Sequence, residues 1–231
     1  ELQVQALREN PECGVAYCQT AYVDKISLKT ECPWKRTGEK ISRMFPGFAA
    51  DRWWGTSTPL YRRTVTDATG AWIDLENCED WEYDCRIAVQ NTALAYVPCV
   101  LSQQHNHPTS RLSRNSARDP RKLKARSHAH ECIAGHIAQA GLTETLREVR
   151  HFGNLSFLLA RQCGAAGLVE ESRLLLSIVQ RICPCTIGDS AKFRAYNMLG
   201  RLIGWRAAGR VAIWRDRLSG GLGMKKRTVL A

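Results

Sequence analysis

The feature that most constrains this chain is a change of apolar periodicity partway along it. From about His130 to Arg181 apolar residues recur at i, i+3, i+4 and i+7, as in "LSFLLARQCGAAGLVEESRLLLSIVQRI". Gly164 and Gly167 punctuate that run, which predicts a helical hairpin. Within it "AAGLVEESRLLLSI" resembles one unit of a helix-pair repeat, and one unit does not make an array. Earlier in the chain the clear apolar runs are rich in β-formers instead: "VAYCQTAYV" and "ALAYVPCVLSQQHNH" read as strands. The expected organisation is therefore an α/β half-domain over 1–112, a basic linker over 113–129 and an α-helical region over 130–231.

Smaller signals fill in the first part. Residues 1–9 look like the end of a helix, and "NPECG" is a turn. Residues 24–50 read as a long loop with a short helix, and long loops inside compact domains tend to be functional. "GTSTPLYRRTVTDATGAW" gives a short strand and then a polar helix ended by Gly70. "CEDWEYDCRIAVQN" has helical spacing, with Trp81, Cys85, Ala88 and Val89 on one face. A last helix is expected from about Ala191 to Leu218. Its stripe of Tyr196, Leu199, Ile203, Ala207, Val211, Trp214 and Leu218 would be continuous, with Trp205 on the far side.

At 231 residues and 44% hydrophobic, the chain can form one large domain or two small ones. It opens on Glu1, already at helical spacing, and reads as a fragment whose upstream part is missing. There is no secretory signal and no apolar run of about 18 residues. The ten cysteines form no CxxC pair, and Cys18, Cys99 and Cys163 lie in apolar stretches. Reduced, mostly buried thiols and a cytoplasmic location are expected. The net charge of +11 is uneven. Residues 111–126 carry +6 and residues 192–227 carry +9, leaving −4 for everything else. The tail is expected to pack on the hairpin or to lie against a membrane surface at the cytoplasmic face. No nucleic-acid motif accompanies the charge, so no specific nucleic acid is expected.

In the acidic remainder, "NCEDWEYDCRIA" gathers Glu79, Asp80, Glu82 and Asp84 around Trp81 and Tyr83. Two explanations stand: carboxylates favouring the positive end of a helix dipole, or one carboxylate with a chemical task. The segments "NPECGVAYCQTAYVD", "WWGTSTPLYRRTVTDATGAW", "CEDWEYDCRIA" and "AYVPCVLSQQHNHPTSRLS" together resemble the second half of a family 2 glycosyltransferase domain of GT-A type, over residues 1–113. The resemblance implies an inverting transfer of a sugar from a nucleotide-sugar donor to the hydroxyl of a glycan or lipid-linked acceptor. It places Asp80 as the general base, with Glu79 beside it. It implies an acceptor floor from Trp54, Gly55, Thr56 and Ser57, with one of Trp53 and Trp54 facing the cleft, Arg62 and Arg63 toward the diphosphate, and His107 as a candidate ligand of the metal or contact of the diphosphate. His105 stands where that family commonly has an arginine, which puts the diphosphate contact in doubt. Mn²⁺ or Mg²⁺ is implied as well, with its main ligands upstream, because no D-x-D motif occurs in this chain. His128, Cys132 and His136 could share a helix face, as a zinc site or as a plain polar helix start. The competing classes are a helical interaction scaffold and a basic nucleic-acid-binding module.

Overall fold

The computed structural model describes residues 1–24, 29–106 and 119–221. Helix α1 (Leu2–Glu9) ends at Asn10, and the "NPECG" turn leads into β1 (Cys13–Asp24). β1 is the centre of a mixed four-stranded sheet. Along one edge it runs parallel to β4 (Ala93–Asn106). Along its other edge two short antiparallel strands sit end to end: β2 (Lys29–Glu31) opposite Tyr22–Asp24, and β3 (Pro59–Tyr61) opposite Val15–Tyr17. The β1–β4 register jumps between Cys18↔Val97 and Gln19↔Val100. Pro98 falls in that bulge, where a missing N–H interrupts no regular ladder. Cys99 beside it is exposed, not the buried small hydrophobe expected from its apolar neighbours.

The parallel pairing of β1 and β4 requires a crossover, which α2 (Gly47–Ala50), α3 (Arg63–Thr69) and α4 (Glu79–Val89) provide. After β4 come α5 (Pro120–Gln139), α6 (Arg147–Ala166), α7 (Val169–Ile182), a π-helical turn at Pro184–Gly188, α8 (Ala191–Ile203) and α9 (Trp205–Gly221). Local chemistry fixes several of these ends. Asp119 caps α5 by accepting from the Arg121 N–H, with Pro120 in the first turn. Ser190 caps α8 by accepting from the Phe193 N–H. Gly167 closes α6 in the left-handed conformation (φ 87°), with Gly167 and Leu168 donating to the carbonyls of Gly164 and Cys163.

Four expectations change here. The stretch read as a linker over 113–129 is helical from Pro120, and Leu123 is fully buried. The single last helix is two, broken at Gly204 with φ 83° and ψ 149°, a region that glycine alone adopts without strain. Trp205, placed by the periodicity on a wet face, is buried against Tyr196. Gly164 is no terminator either. A Cβ on Gly209 of α9 would fall 2.2 Å from the Ala165 nitrogen and 2.7 Å from the Gly164 carbonyl carbon, so the two helices cross backbone to backbone.

One apolar core joins the two parts of the chain. It runs from Val15 and Tyr17 through Trp54, Trp81 and Ile87 to Ile133, Phe152, Leu175 and Phe193. Helix α4 is its shared wall. Toward α5 it presents Trp81, which meets the rings of His130 and Phe152. Among the described residues no helix is long and apolar enough to cross a membrane.

Candidate active site

Helix α4 starts at Cys78, whose φ of 67° is left-handed for a residue with a side chain. Such a conformation costs on the order of 1–3 kcal/mol and persists only where the surroundings impose it. It turns the chain so that Glu79, Asp80 and Glu82 all fall in the first helical turn, near its partial positive charge. The four acids of the motif then go separate ways.

Asp84 is sealed inside. It accepts from the Arg52 Nε at 2.6 Å, the Trp54 indole N–H at 2.9 Å and the Tyr61 hydroxyl at 2.6 Å. Burial raises its pKa, and Arg52, Tyr61 and Trp54 pull the other way. Glu82, on the opposite face, bonds Arg86 at 2.8 Å and the His136 Nε2 at 2.9 Å. Burial would raise Glu82, yet His136 and Arg86 outweigh it and its pKa is lowered. Both residues hold the helix in place.

Asp80 differs. Its side chain keeps 27% exposure and its Oδ2 takes two bonds, from the Arg52 guanidinium and from the Thr56 hydroxyl at 3.0 Å. Arg52 also donates to Thr56 at 3.1 Å, closing a triangle of Arg52, Thr56 and Asp80. Burial lowers the pKa of Arg52, but Asp84 and Asp80 outweigh it and the guanidinium is held above its ordinary value. Beside them Glu79 is held above the usual carboxylate range. Burial is the leading cause and the Asp80 charge adds to it, while the backbone N–H of Glu79 opposes. The Lys35 ammonium donates to the Arg52 carbonyl at 3.0 Å, and burial lowers its pKa against the pull of Asp51, Asp80 and Asp84.

The residues expected to form the acceptor floor divide in the same way. Thr56 and Ser57 are exposed, and Ser57 shares a hydrogen bond of 3.0 Å with Ser102 of β4. Trp54 is core: it is 1% exposed, packs on Tyr17 and Phe48, and its N–H is spent on Asp84. Trp53 is buried too, under the Arg36 guanidinium, so neither indole faces open space. Gly55 makes room for protein rather than ligand, since a Cβ there would meet the Trp34 ring at 3.1 Å. Arg63 does not join the site; it is exposed and paired with Asp67 at 2.7 Å. Arg62 donates to the carbonyls of Leu7 and Cys13, at the start of β1. His107 lies outside the described residues.

The candidate zinc set is not assembled. His136 is engaged by Glu82, His128 is exposed, and His130 is buried on Ser156 at 2.9 Å. Among the described residues no group of three His, Cys, Asp or Glu is placed to hold a metal ion. The ligands expected for the implied Mn²⁺ or Mg²⁺, His107 among them, lie outside the described residues.

Sequence reasoning missed Arg52, Lys35 and Trp34. Trp34 is half-buried, stacked on Tyr22 with ring centres 5.6 Å apart, and lies against Gly55. The polar 24–50 loop is the available signal, because it brings Trp34 against Gly55 and the Lys35 ammonium to the Arg52 carbonyl. A groove of about 530 Å³ lies to one side, between the 74–76 loop, α5 and the start of α7. It holds acids and bases together and does not include Asp80 or Thr56. No protein-family model, no curated protein and no solved structure matches this chain.

Proposed function

We propose that this chain is the acceptor-side half of an inverting sugar transferase, with Asp80 as the general base. One observation carries the reading: of the acids in the motif, Asp80 is the one both fixed by a buried cation and left open to water. A base needs that combination, because proton transfer demands a held carboxylate within hydrogen-bond reach of the acceptor hydroxyl. Oδ2 is engaged by Arg52 and Thr56, so Oδ1 takes the proton as the acceptor oxygen attacks the anomeric carbon. The bond from that carbon to the diphosphate breaks on the opposite side, and the configuration inverts. The nucleotide-sugar donor is bound by residues beyond those described. β4 has no strand on its outer edge among the described residues, which is where a larger sheet would continue.

The test joins this chain to a donor-binding half and measures sugar transfer. Asp80→Asn keeps the Arg52 and Thr56 contacts and should lower kcat by about 10²–10⁴-fold while the circular dichroism spectrum and nucleotide affinity stay unchanged. Turnover near the wild-type level would remove Asp80 from the role.

A further inference from the structure

We infer that the α8–α9 pair is a docking surface for anionic lipid. This does not rest on the transferase reading. α8 buries Phe193, Tyr196 and Gly200, and α9 buries Trp205, Ala208, Gly209 and Ala212 against α6. The opposite side of each helix is apolar as well. Met198 and Leu202, one turn apart on α8, are 57% and 72% exposed. Val211 and Trp214, one turn apart on α9, are 47% and 63% exposed.

Helical geometry at 100° per residue puts Val211 and Trp214 roughly opposite the Gly209–Ala212 contact with α6. The outward stripe of α9 is therefore not the one that packs, and a soluble helix has no folding reason to carry it. Arginines flank these side chains: Arg194 and Arg201 on α8, Arg210 on α9, all exposed. Among the described residues no carboxylate forms an ion pair with any of the three. Asp216, the acid of α9, is drawn inward to Arg161.

An exposed tryptophan between aliphatic side chains, bordered by arginines, has the chemistry of the boundary between headgroups and acyl chains. The charge selects anionic lipid among membranes. The faces are outer helix surfaces rather than a groove, which suits a plane better than an inserted peptide.

The experiment is co-sedimentation of the full chain with phosphatidylcholine vesicles, with and without phosphatidylglycerol. It is run at low salt and at about 1 M salt, where the screening length falls to about 3 Å. Binding is expected only with the anionic lipid, and weakly at high salt. The triple variant R194A/R201A/R210A should lose about 100-fold in affinity, at about fivefold per arginine. L202S/W214S should abolish binding with an unchanged thermal transition, since both side chains point away from the core. Absence of binding at low salt overturns the proposal, as does equal binding to neutral vesicles. Self-association that L202S/W214S abolishes, without vesicle binding, also overturns it and assigns the face to a second copy of the chain.

Discussion

The two faces of α4 carry similar residues to different ends. Toward the sheet, Asp80 and Asp84 stand one turn apart and share Arg52. Toward α5, Glu82 and Arg86 stand one turn apart and share His136 through Glu82. Both faces bury charge, and both use pairing to make that burial tolerable. On the α5 face Glu82 is sealed, with both of its oxygens engaged by Arg86 and His136. On the sheet face the guanidinium is divided between a sealed carboxylate and a wet one. An acidic cluster in a basic chain is thus mostly scaffold, and the acid proposed as the base is the one that shares a partner with that scaffold.

The largest expected effect breaks the sheet face. Arg52→Met leaves Asp84 buried without its cation and frees Asp80 of its anchor. It should destabilise the fold by about 3–5 kcal/mol, measured by urea unfolding at neutral pH. A loss below about 1 kcal/mol would mean that Arg52 does not organise that face.

Acid should then separate the two faces. Burial, with Arg126 adding, holds the His130 imidazole beside α4 down to about 3, against an ordinary 6.5. Its folded-state pKa is depressed, so the stability it confers is full above about pH 6.5 and is lost as pH falls toward 3. Glu82 is also depressed and loses its contribution as pH falls below its ordinary 4.5. Asp84 has the opposite sign: its raised pKa favours the folded state below its ordinary 3.8 and opposes it as pH rises. Acid lability should therefore reside on the α5 side. His130→Phe, in a pocket already lined by Trp81 and Phe152, should flatten the stability profile between pH 6.5 and 3. An unchanged slope in thermal melts across that range would contradict the assignment. The smallest effect sharpens the comparison: Asp80→Asn should change stability by less than about 1 kcal/mol in urea, because its carboxylate is partly solvated already.

Strands β1, β3 and β4, the crossover helix α4 and the polar helix ended at Gly70 were legible in the sequence, because each depends on neighbours a few residues away; β2 was not, and falls in the stretch read as a loop over 24–50. The Glu79–Asp80 pair was legible for the same reason. The partner of Asp80 was not. Arg52 stands 28 residues earlier, next to two tryptophans, and no local pattern separates it from a surface arginine. The fate of Trp54 was hidden likewise, since its neighbours Tyr17 and Phe48 come from other elements. The break at Gly204 carried a signal, the glycine itself, but the regular stripe on both sides outweighed it. Only the packing of Trp205 back onto Tyr196 reveals why the chain turns there.

The core that α4 shares has a consequence for how this sequence can be inherited and handled. Trp81 and Ile87 belong at once to the crossover of the sheet and to the apolar contact with Ile133 and Phe152. Separating the chain anywhere between the end of β4 and the start of α6 would strip one wall from each piece. The helices after residue 119 therefore cannot have been added or removed as a cassette without rewriting α4. A core shared in this way predicts that the polypeptide unfolds as one cooperative unit, its two ends melting together rather than as beads on a string.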